Sequence, residues 1–122
     1  MIVEDEALNA LFIRNGILKL GYDVCGPVAS GEEAVDMAKN EKPDLVLMDI
    51  MLNGEMNGIE AAKEIRALND IPIIFVTGYS DPEIQKKAKD VGFEGYFIKP
   101  IKPPELKPAI DAALEKHGFS SF

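Results

Sequence analysis

The stretch Leu45-Val46-Leu47-Met48-Asp49 decides the fold, because four apolar residues run directly into one carboxylate. A short continuous apolar run of this kind is typical of a strand buried on both faces of a parallel sheet. Three further runs end at polar residues in the same way: Met1-Ile2-Val3 at Glu4-Asp5-Glu6, Ile73-Ile74-Phe75-Val76 at Thr77, and Tyr96-Phe97-Ile98 at Lys99-Pro100. The pattern predicts parallel strands whose carboxyl ends all carry polar side chains.

Helical signals lie between these runs and after the last one. Helices are predicted near residues 6–20, 31–40, 58–68, 82–91 and from about 104 onward. Residues 23–29 predict a further strand that is broken by Gly26-Pro27 and lies at a sheet edge, because Pro27 cannot donate to a ladder. Right-handed crossovers then favour an α/β fold, a three-layer doubly wound five-stranded parallel sheet with the flavodoxin-like order 2-1-3-4-5. The buried faces of the first and last helices are predicted to include Leu8, Leu11, Phe12, Leu18 and His117.

Composition excludes several classes of protein. The 122 residues predict a single domain, and the formal net charge of -8 argues against a nucleic-acid-binding surface and against an anionic membrane. No apolar stretch approaches the roughly 20 residues of a transmembrane helix. Cys25 is the single cysteine, which fits a reducing compartment and predicts a cytoplasmic location. Three residues precede Glu4, so the first strand is either short or trimmed at its natural start.

The predicted strand order gathers charged side chains beside Asp5 and Asp49, where the chain order reverses. Glu4 adds a third carboxylate, and Lys99 is the nearby cation. Like charges ~4 Å apart repel by about 4 kcal/mol at an effective dielectric of 20, so this cluster needs a cation. Oxygen ligands that are few in number and leave room for water favour Mg²⁺, and Mn²⁺ is expected to substitute for it.

Asp49 is suited to attack phosphorus and to form an aspartyl phosphate, since an ionised carboxylate needs no general base. Thr77 and Lys99 are suited to hold phosphoryl oxygens by hydrogen bond and charge. Taken alone, each residue has an ordinary explanation as a cap, a turn former or a surface charge. Their occurrence together at four successive strand ends favours a phosphoryl site.

With these residues in place, the whole chain resembles a response regulator receiver domain. The matching motifs are IVEDE (residues 2–6), DLVLMDIML (44–52), NGIEAAKEIR (57–66), PIIFVTGYSD (72–81) and GYFIKPI (95–101). The resemblance implies one receiver domain over residues 1–122, in a stand-alone receiver or a multidomain regulator or hybrid kinase. It implies a switch that is not an enzyme in the ordinary sense, catalysing its own phosphorylation and a slow autodephosphorylation.

The resemblance also implies roles for individual residues. A sensor histidine kinase or phosphotransfer protein would phosphorylate Asp49 in the presence of Mg²⁺, helped by Lys99 and Thr77. Asp5 and Asp49 would bind the metal directly, Glu4 would lie alongside it, often through water, and the Met51 backbone carbonyl would complete the set. Thr77 and Tyr96 match the switch pair, and Pro100 would follow Lys99 across a cis peptide bond. Phosphorylation would change the surface of the fourth helix, the fifth predicted strand and the last helix.

Three features extend or depart from the common family pattern. The loop 51–58 is a residue longer than usual and has Asn57 where Asp is frequent, which leaves the output pathway open. Pro108 is expected to kink or delay the last helix. A basic surface is predicted on the switching face, which makes a homodimer through that face a further expectation; its residues are Lys86, Lys87, Lys89, Lys102 and Lys107.

Other functions fit the sequence less well. A flavin or dinucleotide site would need a glycine-rich loop after the first strand, where Glu4-Asp5-Glu6 stands instead. An aspartyl phosphatase would place a second Asp two residues after a nucleophile on that strand. The remaining alternative is a receiver-like interaction module that phosphorylation does not regulate. His117 as a phosphorelay histidine is disfavoured, because its place before Gly118 fits a helix C-terminus.

Overall fold

A computed structural model of the chain describes residues 1–116. The strands are β1 (Ile2–Val3), β2 (Val46–Met48), β3 (Ile73–Thr77) and β4 (Gly95–Ile98). The helices are α1 (Ala7–Lys19), α2 (Gly31–Glu41), α3 (Gly58–Leu68), α4 (Pro82–Val91) and α5 (Pro103–Lys116). His117, predicted for the inner face of the last helix, lies outside the described residues.

The four strands form one parallel sheet in the order β1-β2-β3-β4. The predicted edge strand at residues 23–29 is reduced to a single bridge between Val28 and Val3. Its position beside β1 is as predicted, since Glu4 N donates to Val28 O at 3.0 Å. Its length was overestimated, because Pro27 has no amide hydrogen and Gly26 has a φ of 87°, outside the extended region.

Helices cover both faces of the sheet, so the expected three-layer fold is confirmed. Ile73 and Phe75 belong to the core under α2, α3 and α4, whereas Ile74 and Val76 belong to the core under α1 and α5. This alternation follows from the two-residue period of a strand. Burial on both faces explains why the strand sequences are apolar throughout rather than alternating.

The buried face of α1 differs from the prediction. Leu8, Leu11, Phe12 and Leu18 are 79%, 51%, 54% and 39% exposed. Ala10, Ile13 and Ile17 are buried instead. A Cβ at Gly16 would overlap the Pro103 ring, so a close approach of α1 to α5 depends on this glycine. Because α1 is apolar around most of its surface, packing against a neighbour decided which side was buried.

Local signals at the other helices were more reliable. Ser30 and Asp81 accept hydrogen bonds from backbone amides at the starts of α2 and α4, and Asn57 forms a capping box with Glu60 at α3. The expected delay of the last helix is wrong, because α5 begins at Pro103 and continues through Pro108. Among residues 1–116, none of the helices has the length and apolar content that a membrane span requires.

Candidate functional site

Three carboxylates meet at the carboxyl edge of the sheet. Glu4 follows β1 and Asp49 follows β2, and the pairing of Val3 with Met48 sets them side by side. Oxygen atoms of Glu4, Asp5 and Asp49 all lie within 4.8 Å of one another. The side chains of Glu4 and Asp49 are 2% and 8% exposed, whereas Asp5 is half-buried. This gathering is what the predicted strand order required.

Lys99 joins two of these carboxylates. Its Nζ lies 2.5 Å from Glu4 Oε1 and 3.1 Å from Asp49 Oδ2. The lysine follows β4, its backbone amide donates to Thr77 O at 2.8 Å, and its peptide bond to Pro100 is cis, as the resemblance implied. One ammonium therefore faces three carboxylates, which leaves the cluster negative.

The charges at the site shift one another's pKa. The pKa of Asp49 is raised from 3.8 to about 7, first by burial and then by the neighbouring Glu4, while the nearby Lys99 acts in the opposite direction. Burial would also raise the pKa of Glu4, but hydrogen bonds with Asp49, Lys99 and Asn9 outweigh burial and lower it to about 2. Burial likewise opposes the charge of Lys99, yet its two carboxylate partners raise its pKa. The pair of carboxylates thus resists carrying two negative charges at once.

The donor set fits a small divalent cation. Carboxylate oxygens are the ligands that Mg²⁺ prefers, and a cation at this point would offset the charge that Lys99 leaves unbalanced. Backbone amides hold two of the carboxylates, since Asn53 N donates to Asp5 at 3.0 Å and Met51 N donates to Asp49 Oδ1 at 3.1 Å. The Met51 carbonyl as a ligand stays a prediction.

Thr77 and Tyr96 are neighbours of the acidic site but are bonded elsewhere. Thr77 is buried and its hydroxyl donates to Tyr79 O at 3.0 Å. The half-buried Tyr96 places its hydroxyl 2.6 Å from Ser80 Oγ, which also accepts from Gln85 Nε2 at 3.1 Å. The Tyr96 ring packs at an angle against Phe93, with ring centroids 5.5 Å apart. Ser80 thereby connects the loop after Thr77 to Tyr96.

Sequence reasoning missed three residues of the site. Asn9 Nδ2 donates to Glu4 Oε1, and Ser80 bonds Tyr96. Gly58 is required for space, because a Cβ there would overlap the backbone of Asp49. A polar Asn within the apolar run of α1 was the available signal for Asn9, whereas Ser80 and Gly58 carry no local signal of their roles.

Two lysines of the predicted basic surface have acidic partners along their own helices. Lys107 contacts Asp111 at 2.9 Å and Tyr22 at 3.3 Å, so it is engaged beside the end of α1. Lys87 forms an ion pair with Glu83 at 3.4 Å along α4.

Next to the acidic site, a groove between α1 and the segment after β4 is lined by polar and apolar side chains, including Asn9, Phe12, Lys99, Pro100 and Ile101.

Comparison with known proteins places these features in a family. The family model of the response regulator receiver domain matches residues 1–111. The transcriptional regulatory protein PdtaR of Mycobacterium tuberculosis is 36% identical over 116 residues, which are 95% of this chain and 56% of that protein. The chain thus spans about half the length of PdtaR. The chemotaxis protein CheY of Thermotoga maritima is 35% identical over 91% of this chain and 92% of that protein.

Solved structures agree with the sequence comparisons. The signal receiver domain of a modulated diguanylate cyclase from Desulfovibrio desulfuricans G20 has a TM-score of 0.89 and 43% identity, covering 94% of this chain and 91% of that one. A CheY-like receiver domain protein from Methanospirillum hungatei has a TM-score of 0.88 and 28% identity, covering 94% and 91%. The chain belongs to the response regulator receiver domain family.

Proposed function

We propose that Asp49 is the residue that accepts the phosphoryl group in this phosphorylation-activated signalling switch. The observation that carries the proposal is the position of Asp49 between a lysine ammonium and two further carboxylates. The donor would be the phosphohistidine of a sensor histidine kinase or of a phosphotransfer protein. An Asp49 oxygen forms the new bond to phosphorus, the phosphorus–nitrogen bond breaks, and the imidazole leaves with the bonding electron pair.

Lys99 would change partners during this reaction. In the free protein its ammonium is shared between Glu4 and Asp49. Once Asp49 carries a phosphoryl group, the added oxygens are stronger competitors for the ammonium, because they hold more negative charge. Thr77, which is buried at the end of β3, would supply a hydroxyl to the same group after leaving the Tyr79 carbonyl.

Mg²⁺, or Mn²⁺ in its place, would be held by Glu4, Asp5, Asp49 and the Met51 carbonyl. When bound, the cation would offset negative charge on the incoming phosphoryl group. The raised pKa of Asp49 supports this part of the proposal, since a neighbouring cation favours the ionised nucleophile. The chain's own residues supply the ligands, the ammonium and the hydroxyl. The reaction is confined to Asp49 itself, followed by slow hydrolysis of the aspartyl phosphate.

The exposed apolar side of α1 supports a docking face for the phosphodonor. Leu8, Leu11 and Phe12 are more than half exposed, and Phe12 lines the groove that also contains Lys99. An apolar patch beside a reactive site is a common mark of a protein contact. A partner seated on α1 would thus bring its phosphohistidine to the rim of the acidic site.

The extent and setting of the domain are part of the same proposal. Residues 1–122 would form one receiver domain, since the family match reaches residue 111 and α5 continues to Lys116. A cytoplasmic location is proposed from the single Cys25. Association of two copies through α4, β4 and α5 is proposed because the exposed Lys86, Lys89 and Lys102 would pair with acidic residues of the second copy. Sedimentation with and without beryllofluoride tests it, and an unchanged mass would contradict it.

Phosphorylation from a small-molecule donor tests the assignment of Asp49. Incubation with acetyl phosphate and Mg²⁺ should add one phosphoryl mass, which hydroxylamine should remove. Asp49→Asn should abolish the added mass, and Asp36→Asn, a change on the exposed side of α2, should leave it unchanged. Equal labelling of Asp49→Asn and the wild-type chain would overturn the assignment.

A further inference from the structure

Asn9 stands out on α1 because it is half-buried and polar, while its apolar neighbour Leu8 is 79% exposed. The Asn9 amide donates a hydrogen bond to Glu4 Oε1. This contact connects the first turn of α1 to the carboxylate at the end of β1. Asn9 does not belong to the acidic cluster and carries no charge, so it does not add to the repulsion there.

Glu4 depends on few donors. Its Oε1 accepts from Asn9 and from Lys99, and its Oε2 accepts from the Glu6 backbone amide at a long 3.5 Å. The Glu4 side chain is 2% exposed. A buried carboxylate that loses a donor cannot recover the bond from water, so each donor matters to its orientation.

We propose that Asn9 is a positioning residue that holds the Glu4 carboxylate in place for the metal ion. The inference rests on the proposed function, in which Glu4 contributes to the cation site. Lys99 cannot fill this role throughout the reaction, because it is also the proposed ligand of the phosphoryl oxygens. When Lys99 turns to the phosphoryl group, Asn9 is the side-chain donor that stays on Oε1.

Mutation of a residue that hydrogen-bonds a metal ligand commonly lowers metal affinity 10- to 100-fold, because that hydrogen bond fixes the direction in which the ligand oxygen points. A single neutral donor on one of three carboxylates should act near the lower end of this range. We therefore expect removal of the Asn9 amide to weaken Mg²⁺ binding about tenfold. Phosphorylation at saturating Mg²⁺ should fall much less, since added metal compensates for lost affinity.

Calorimetric titration of the full chain with MgCl₂ tests this inference. Asn9→Ala and Asn9→Leu both remove the donor, and the Leu variant keeps the branched shape of the side chain. Asn9→Gln keeps an amide donor and should recover part of the affinity. Asn15→Ala, a change on the exposed side of the same helix, is the matched control and should bind Mg²⁺ like the wild-type chain.

The outcomes separate the two claims. If the wild-type chain itself fails to bind Mg²⁺, the proposed function is wrong at the metal site and the role of Asn9 fails with it. If the wild-type chain binds Mg²⁺ and Asp5→Asn does not, the site is established. Folded Asn9→Leu with wild-type affinity would then overturn the role of Asn9 alone, even if its urea midpoint had fallen. A rise in the dissociation constant without recovery in Asn9→Gln would also count against it.

Discussion

The acidic site and the switch region lie at adjacent strand ends but are held together by different forces. In the acidic site, Glu4 and Asp49 are nearly inaccessible and share one ammonium from Lys99. In the switch region, the Thr77 hydroxyl donates to the Tyr79 carbonyl and the Ser80 hydroxyl bonds the Tyr96 hydroxyl, so these hydrogen bonds join neutral groups. Removing one partner of a buried ion pair costs several kcal/mol of stability, whereas a neutral hydrogen bond contributes about 1 kcal/mol net. The first region is therefore suited to chemistry, and the second is suited to changing its arrangement.

Removal of Lys99 should produce the largest effect, because it leaves two buried carboxylates without their shared cation. Lys99→Met should lower the phosphorylation rate with acetyl phosphate at least 100-fold, the usual effect of losing a charge-stabilising donor. It should also lower the free energy of unfolding of the metal-free protein by about 3 kcal/mol, measured by urea denaturation. The exposed Lys102→Met is the control. A phosphorylation rate within a few-fold of wild type would mean that the Lys99 ammonium does not assist phosphoryl transfer.

The pH dependence of stability should be the next largest effect. The folded pKa of Asp49 is about 7, above its unfolded value of 3.8. The folded chain therefore binds more protons between these values, and its unfolding free energy should fall as pH rises toward 8, by about 2 kcal/mol from pH 5. The lowered pKa of Glu4 acts outside this window, because its stabilisation is lost only as pH falls from 4.5 through about 2.

Comparison with Asp49→Asn isolates the contribution of Asp49 to the pH dependence of stability, since the other groups that titrate between pH 5 and pH 8 are common to both chains. Urea denaturation of the variant in metal-free buffer should show a flatter pH profile and greater stability than wild type at pH 8. Saturating Mg²⁺ should flatten the wild-type profile as well, because the cation favours ionised Asp49. Parallel profiles for wild type and Asp49→Asn would show that neither burial nor the neighbouring Glu4 raises the pKa of Asp49.

The smallest effect is expected in the switch region. Ser80→Ala removes the partner of the Tyr96 hydroxyl and should cost about 1 kcal/mol of unfolding free energy. Tyr96→Phe removes the same bond from the other side, so the two costs should not add in the double variant. Proton–carbon NMR of the Tyr96 ring should shift in Ser80→Ala, while phosphorylation by acetyl phosphate should stay within about twofold.

The control for this cycle is Tyr79→Phe, which removes the exposed hydroxyl that contacts Asp81 in the same loop. Additive costs for Ser80→Ala and Tyr96→Phe would mean that their hydrogen bond carries no stability. A large loss of phosphorylation in Ser80→Ala would also break the distinction between the two regions, because it would make Ser80 part of the chemical site.

The helices show where sequence reasoning succeeded and where it failed. The start of α4 at Asp81-Pro82 and the start of α2 after Ser30 followed from caps within a few residues. The buried side of α1 was predicted wrongly, because Leu8 and Phe12 are as apolar as Ile13 and Ile17. The local sequence pattern cannot distinguish between two apolar sides of one helix. Close packing against α5 at Gly16 decided which side of α1 is buried.

By itself, the sequence determined the alternation of strands and helices and the polar residue at each strand end. Those features depend on local periodicity and on the rule that parallel strands end at one edge of the sheet. Tertiary structure alone decided that Asn9 reaches Glu4 and that Ser80 holds Tyr96. The hydrogen bond of Ser80 joins residues 16 positions apart, and like the other it depends on distances and directions that packing sets.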